Sequence, residues 1–237
     1  MRILITAGST MGMIDGVRGI GNIFKGGTGA KLARTFADNR HTVTLLTSNG
    51  GLLHDQNGIR VREYVTFADL AGLLEEEITM GEYDLIVHSA AINDFTPTGT
   101  FIPTNNGQLT QMSDVGKISS QHKTLFIRLS PTYKLIDKIR TEWGFKGVLV
   151  KFKLQVGMSD EELVRVATKS MQDSDADIIV ANCKEWKDER AIVISKGHTR
   201  PLFIRPIRRS ALAKCILRAT QDVFVRKENL PALKLVS

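Results

Sequence analysis

Glycines and polar residues within the first 33 positions have the types and spacing of a phosphate-binding segment. An apolar run, ILI at residues 3–5, leads into TAGST at 6–10, and GGTG at 26–29 opens an amphipathic helical pattern. Glycine lets the backbone approach an anion closely, and the free N–H groups at a helix N-terminus favour negative charge. We therefore expect an anion to bind beside Gly26 and Gly29.

The interval between these two motifs departs from a dinucleotide fingerprint, in which the glycines follow the first strand at once. It carries Asp15, Arg18 and Asn22, a compact polar set on a loop that is fixed at both ends. Loops held by a rigid scaffold are where binding groups concentrate. The sequence leaves two interpretations open: these side chains bind a ligand, or they satisfy backbone groups within a long loop.

A second polar set follows a predicted buried strand, DLIVH at residues 84–88. Open α/β sheets bind ligands in the crevice beyond the carboxyl ends of their strands. Ala90 and Ala91 would allow a ligand to approach the backbone closely, and Asp94 would offer an acceptor. His88 could titrate there, although a single histidine at a strand end is more often a structural residue.

Residues 98–123 are rich in Thr, Asn, Gln, Gly and Ser and poor in apolar residues. A polar segment of this length in a compact domain is typical of a lid, a binding loop or a disordered region. Lys117 lies within it, followed by Ile118. By itself, a lysine in a polar loop is expected to be a surface residue.

Helices and strands alternate along the chain, which predicts an α/β fold: a doubly wound, mostly parallel, Rossmann-like sheet with helices on both faces. Thr66 is expected to cap one helix, and Ser159 with Glu162 forms a capping box for another. Ser130 and Pro131 are expected to start a third. We interpret residues 1–237 as a single domain, with 98–123 as a lid and dimerisation segment.

A formal net charge of +7 and a pI near 9.5 suit a phosphate-bearing partner. Aromatic residues are only 6% of the chain, which argues against nucleic acid. The densest basic run, residues 205–209 with Lys214 and Arg218, is expected to lie largely on the last helix as a solvated face.

No apolar run approaches the roughly 20 residues that a membrane-spanning helix needs. The N-terminus lacks the features of a signal peptide. Cys183 and Cys215 are too few for a disulfide framework, and no Cys/His cluster has metal-ligand spacing. We expect a cytoplasmic protein with no membrane partner and no protein-bound metal centre.

Taken together, the motifs resemble the phosphopantothenate-cysteine ligase family in its free-standing form, over nearly the whole chain. TAGST at 6–10, ID at 14–15, VR at 17–18 and IGN at 20–22 are similar to the family's opening signature. AAIND at 90–94 is similar to its AAVxD segment, Lys117-Ile118 to the start of its KIKK segment, and Phe152 to the aromatic residue of its GFxxE strand.

The resemblance implies a two-step ligation. The carboxylate of 4′-phosphopantothenate attacks the α-phosphate of a nucleotide and releases pyrophosphate, and the amine of cysteine then attacks the acyl-nucleotidylate. It also implies Mg²⁺ bound with CTP or ATP, of which CTP is favoured, and a homodimer in which the lid crosses to the partner.

The same resemblance assigns residues to roles. It implies Asn22 and Lys117 as catalytic residues. Nucleotide contacts are implied for Gly8, Ser9, Thr10, Ala90, Ala91, Asp94, Lys117 and Phe152. Phosphopantothenate contacts are implied for Arg18, Asn22, Gly26 and Gly29.

The sequence departs from the family at several positions. Phe24-Lys25 replaces a Ser/Thr pair, and only the first lysine of KIKK is kept. A non-catalytic nucleotide-binding module on the same scaffold therefore stays open as an alternative. A short-chain NADP reductase is the other alternative, but none of the three tyrosines is followed four residues later by lysine, as its Tyr-x-x-x-Lys motif requires.

Overall fold

An eight-stranded sheet forms the centre of the fold in the computed structural model, which describes residues 1–53, 58–112, 116–196 and 203–229. Its strand order is β13-β12-β11-β10-β6-β1-β4-β5. The strands are β1 (Arg2–Ala7), β4 (Thr42–Thr47), β5 (Ile59–Glu63), β6 (Leu85–His88), β10 (Val148–Gln155), β11 (Ile178–Cys183), β12 (Arg190–Ser195) and β13 (Phe203–Arg208). The six strands from β5 to β11 are parallel, and β12 and β13 are antiparallel. The prediction of a mostly parallel sheet is confirmed.

Helices cover both faces of this sheet. One face carries α1 (Gly27–Asp38) and α5 (Leu212–Asn229), and the other carries α2 (Phe67–Met80), α3 (Leu135–Thr141) and α4 (Asp160–Asp173). Every residue of β6 and β11 is buried. Strands covered on both sides read as continuous apolar runs, which is why LIV and IIV mark them in the sequence.

Helix starts follow local sequence where a capping side chain is present. Thr66 accepts from the backbone N–H of Asp69 and Ser159 from that of Glu162, so both predicted caps are confirmed. The predicted start of α3 at Ser130 and Pro131 is wrong. These residues end β9 (Phe126–Pro131), where they pair with β7 (Phe95–Pro103), and the helix begins at Leu135.

A separate three-stranded antiparallel sheet contains part of residues 98–123. Its order is β8-β7-β9, with β8 at Leu109–Gln111. Residues 98–103 and 109–111 of the polar segment are therefore strand, and cross-strand pairing satisfies their backbone groups. Residues 113–115 lie outside the described part. Its role as a lid or dimerisation segment stays a prediction.

The predicted loop of residues 11–25 contains a small β-hairpin. Its strands are β2 (Met11–Met13) and β3 (Gly19–Gly21). Short 3-10 helices occur at Gly50–Leu53 and Arg209–Ala211. Within the described ranges, none of the helices has both the length and the apolar character to cross a bilayer.

Candidate functional site

A cavity of about 480 Å³ lies where the N-terminus of α1 meets the carboxyl ends of β6, β10 and β11 and the start of α5. This is the crevice in which open α/β sheets bind ligands. Six of the residues predicted from sequence line it: Gly8, Gly26, Gly29, Ala90, Ala91 and Phe152. Further lining comes from Phe24, Lys25, Thr28, Lys31, Asn182, Lys187, Asp188 and Arg209, among others.

Glycines bring the backbone of α1 close to β1 at the edge of the cavity. Gly26 has a φ of 85°, and a Cβ placed there would lie 2.6 Å from the backbone nitrogen of Gly8. A Cβ at Gly29 would lie 2.5 Å from the Cβ of Ala7. Both positions therefore require glycine for packing, whether or not they also touch a ligand.

The N-terminus of α1 points its positive end at this cavity without a capping side chain. Gly26 is the N-cap residue and makes no side-chain cap hydrogen bond, and the first turn contains no acidic residue. The partial positive charge of the helix end is thus not offset locally. This arrangement favours an anionic group.

Arg209 adds a full positive charge to the cavity wall, and the sequence analysis did not single it out. Its guanidinium donates to Thr28 Oγ1 over 2.5 Å and to Asn182 Oδ1 over 3.2 Å. It is partly buried, and burial lowers its pKa from the usual value, although an arginine stays charged. The negative charge of Asp188, which also lines the cavity, raises the pKa of Arg209 by a smaller amount.

The expectation of a solvated basic face at residues 205–209 is wrong for Arg209. Residues 205–208 belong to β13, and Arg209 follows in a 3-10 helix, before α5 begins. The sequence contains one indication of this part of the cavity: the polar residue Asn182, to which Arg209 donates, lies at the end of a buried strand, and the ends of such strands open onto the crevice.

Asn22 lies beside the cavity rim, outside its lining residues. Its Nδ2 donates to Ala91 O and to Asn93 Oδ1, each over 3.1 Å, while Asn93 Nδ2 donates to Ile20 O over 2.8 Å. These bonds attach the end of the β2–β3 hairpin to the segment after β6. The β2–β3 hairpin is therefore held against the segment that follows β6.

Thr10 and Ser9 take part in hydrogen bonds that involve backbone N–H groups near the cavity. The buried hydroxyl of Thr10 accepts from Asn93 N over 2.9 Å, and Ser9 N donates to Ser48 Oγ over 2.9 Å. Neither residue lines the cavity. Their nucleotide contacts stay predictions.

Arg18 and Lys117 lie near one another at the turn of the β2–β3 hairpin. Arg18 pairs with Asp15 and donates to Ile118 O over 2.6 Å. Lys117 is exposed and, like Arg18, does not line the cavity. The hydrogen bond of Arg18 with Asp15, followed by that from Ile118 N, holds the pKa of Asp15 well below its usual value.

Asp94 faces away from the cavity wall. Its carboxylate is exposed and pairs with Lys134, and its backbone oxygen accepts from Thr132 N over 2.9 Å. It is not among the lining residues. Its nucleotide contact stays a prediction.

His88 ends β6 and is buried behind the cavity. Its Nδ1 lies 3.1 Å from Thr6 Oγ1, which itself accepts from Ala90 N over 3.1 Å. Burial, with a smaller contribution from the Lys151 charge, lowers the pKa of His88 to about 4. The imidazole is therefore neutral near neutral pH and serves the structure.

The described residues offer charge stabilisation and hydrogen-bond donors around the cavity. Within those residues, no group of three or more His, Cys, Asp or Glu side chains could hold a metal ion. Such a site suits reactions in which negative charge develops on phosphate or acyl oxygens.

Comparisons with known proteins identify the family and the fold of the chain. The family described as the DNA/pantothenate metabolism flavoprotein C-terminal domain matches residues 1–219. The chain is 31% identical over 198 residues to the coenzyme A biosynthesis bifunctional protein CoaBC of Thermococcus kodakarensis, covering 83% of this chain and 45% of that protein. It is 29% identical over 182 residues to the CoaBC protein of Methanocaldococcus jannaschii, covering 76% of this chain and 40% of that protein. The chain thus spans less than half the length of these curated relatives.

A solved structure of the DNA/pantothenate metabolism flavoprotein from Streptococcus pneumoniae superimposes with a TM-score of 0.79 at 26% identity, covering 94% of this chain and 99% of that one. A structure described as Cab2 mutant H337A in complex with phosphopantothenate-cysteine shares the fold, with a TM-score of 0.70 at 16% identity, covering 95% and 88%. The sequence resemblance is confirmed at the level of family and fold. The chain belongs to the family of the DNA/pantothenate metabolism flavoprotein C-terminal domain.

Proposed function

We propose that this chain joins 4′-phosphopantothenate to cysteine through an acyl-nucleotidylate intermediate, with release of pyrophosphate, as a step of coenzyme A biosynthesis. The observation that carries the proposal is the cavity in which Arg209 and the uncapped N-terminus of α1 converge. The similarity of the chain to proteins named for coenzyme A biosynthesis supports the proposal.

The first step needs a site for several phosphates. A carboxylate oxygen of phosphopantothenate forms a bond to the α-phosphorus of the nucleotide, and the bond from that phosphorus to pyrophosphate breaks. Arg209, Lys25 and Lys31 line the cavity and would offset the phosphate charge. We assign Lys117 to the extra charge that develops on the α-phosphate, because its segment resembles the family's KIKK start.

In the second step the cysteine nitrogen attacks the acyl carbon, the nucleoside monophosphate leaves, and the nitrogen loses a proton. Asn22 is suited to this step because its amide already donates to carbonyl oxygens at the cavity rim. Both N–H groups of Asn22 are used in these two bonds, so in the complex one of the bonds would be exchanged for a bond to the acyl carbonyl of the intermediate. Substitution of the Asn22 amide by a carboxylate would remove that donor.

Mg²⁺ would enter with the nucleotide and neutralise charge on the triphosphate. The described residues hold no acidic cluster, which fits an ion bound mainly by phosphates and water. We favour CTP over ATP because the motifs resemble bacterial members of the family. A cytoplasmic location would follow from this activity.

The proposal also includes a homodimer. Large apolar side chains are exposed on the β7–β9 sheet and its ends: Phe95, Leu109, Phe126 and Leu129. Exposed apolar surface of this kind marks interaction sites. We expect Phe126→Glu to shift the protein from dimer to monomer in sedimentation velocity. Val225→Glu on α5, at another exposed apolar residue, should leave the dimer intact. A Phe126→Glu variant that stays dimeric would contradict this interface.

The deciding experiment is turnover. The protein is incubated with phosphopantothenate, cysteine, Mg²⁺ and either CTP or ATP, and pyrophosphate and the amide product are measured. We expect both products, with faster release from CTP. Nucleotide binding without pyrophosphate release would instead indicate the non-catalytic module.

A further inference from the structure

The turn of the β2–β3 hairpin holds a carboxylate that the reaction scheme does not use. The Asp15 side chain is only 1% exposed. Its Oδ1 accepts from the backbone N–H of Val17 and Arg18, over 2.9 and 2.8 Å. Its Oδ2 accepts from Arg18 Nε over 2.9 Å and from Ile118 N over 3.0 Å. A buried carboxylate with this many hydrogen bonds holds its donor groups in fixed positions.

Asp15 and its neighbours hold both residues that flank Lys117. On one side, Gly16 N donates to Gly116 O over 2.9 Å. On the other, Ile118 N donates to Asp15, Ile118 O accepts from Arg18, and the Ile118 side chain is 2% exposed. The exposed lysine therefore projects from a backbone that is fixed before and after it.

The fit between the two segments leaves little room for movement. A Cβ at Gly16 would lie 2.5 Å from Gly116 O, so the turn contacts the lysine segment backbone to backbone. The other end of the same hairpin is attached to Ala91 and Asn93 through Asn22. The hairpin thus links the cavity rim to residues 116–118, which we call the Lys117 segment.

We propose that Asp15 is a positioning residue that acts through Lys117, fixing the backbone from which the lysine reaches the α-phosphate. This inference rests on the proposed function and on its assignment of Lys117. Asp15 itself touches no substrate in this scheme. The Arg18 hydrogen bond that lowers the Asp15 pKa keeps the carboxylate ionised at the pH at which the enzyme would work.

Asp15→Asn is the sharpest perturbation. The amide keeps one acceptor oxygen, but if its NH₂ group faces the donors Arg18 Nε and Ile118 N, neither of those bonds can form. In the flipped orientation the NH₂ group would instead face the backbone N–H groups of Val17 and Arg18. The Lys117 segment would then shift. Because a displacement of about 1 Å in a positioned group can cost roughly 100-fold in rate, we expect pyrophosphate release to slow by about that factor.

The test is a double-mutant cycle on the full chain with Asp15→Asn, Lys117→Gln and the combined variant. The measured rate is pyrophosphate release with phosphopantothenate and saturating nucleotide. We expect Lys117→Gln to cost roughly 100- to 1,000-fold, and Asp15→Asn to slow the Lys117→Gln protein by less than about threefold further. The nucleotide KM of Asp15→Asn should stay within about threefold of the parent value, because the cavity lining is unchanged.

Two variants guard against a general folding effect. Gly16→Ala disturbs the same contact from the Gly116 side and keeps the carboxylate, and it should also lose its effect in the Lys117→Gln background. Glu162→Gln removes another carboxylate, one that accepts from a backbone N–H at the capping box of α4, far along the chain from the hairpin. It should lower thermal stability without slowing pyrophosphate release.

The outcomes separate the inference from the proposed function. If Asp15→Asn slows the parent and the Lys117→Gln protein by equal factors, Asp15 does not act through Lys117 and the positioning role is overturned alone. If Lys117→Gln releases pyrophosphate within about threefold of the parent rate, the lysine assignment fails and the inference falls with it. If the parent releases none, the proposed function itself fails.

Discussion

Lowering the pH should destabilise this protein through His88, which is buried at the end of β6. Burial lowers the pKa of His88 from 6.5 to about 4. Because the folded state disfavours the protonated ring, the stabilisation by neutral His88 is complete above the unfolded pKa of 6.5 and is lost as the pH falls toward 4. At about 1.4 kcal/mol per pKa unit, the full loss is about 3 kcal/mol.

Between about pH 7.5 and about pH 5, this linkage lowers the free energy of unfolding by about 2 kcal/mol. Burial is the main cause of the lowered pKa, and the hydrogen-bond arrangement acts in the same direction. Thr6 Oγ1 accepts from Ala90 N, so its hydroxyl proton is available to donate to His88 Nδ1. A protonated ring carries a proton on Nδ1 as well, and the two donors would face each other.

His88→Asn tests this reasoning, because the amide oxygen of asparagine can accept where Nδ1 does but does not titrate. Urea unfolding at the two pH values should show the parent losing about 2 kcal/mol more than the variant, whatever the variant's absolute stability. His41→Asn is the comparison variant: burial also lowers the pKa of this less buried histidine, so its replacement should reduce the loss of stability in the same direction but by less than His88→Asn does. If parent and His88→Asn lose equal stability within about 0.5 kcal/mol, His88 does not remain buried and neutral as inferred.

Three further predictions concern the cavity. Arg209→Met should raise the nucleotide KM by roughly 10- to 100-fold, since a hydrogen bond to a charged group contributes about 1.5–3 kcal/mol. Arg208→Met, at an exposed residue at the end of β13, should change the KM little, and equal effects of the two variants in steady-state kinetics would contradict a phosphate contact. Gly29→Ala should lower the free energy of unfolding, measured by chemical denaturation, by about 1–3 kcal/mol, because its Cβ would lie 2.5 Å from the Ala7 Cβ. Gly27→Ala, with no atom within 4 Å of the added Cβ, should not destabilise the protein. Asn22→Asp should impair amide formation more than pyrophosphate release, so quenched samples should contain acyl-nucleotidylate by mass spectrometry; an equal loss in both steps would contradict its role.

The central sheet and the crevice follow from sequence because their signals are local. Continuous apolar runs mark buried parallel strands, and the crevice lies where such strands end. Gly26 and Ala90 could therefore be placed at this edge of the sheet from local pattern, and the family resemblance added Phe152; all three line the cavity. The capping boxes at Thr66 and Ser159 are equally local, since both partners lie within one turn.

Pairings between distant residues could not be derived in this way. Strand pairing of Pro131 with Phe95 overrides the local helix-start signal. Arg209 reaches Thr28 across 181 positions, so its basic neighbours in sequence gave no indication of its place in the cavity.

The Lys117 segment shows the same division. Sequence marked Asp15, Arg18 and Lys117 as polar residues on two loops and left open whether they bind ligand or support backbone. Only the tertiary structure brings the hairpin turn against residues 116–118, through a hydrogen bond spanning 103 positions. The types of the chemical groups are written in the chain, but which group holds which is decided by packing, because a hydrogen bond depends on distance and angle that no sequence pattern specifies.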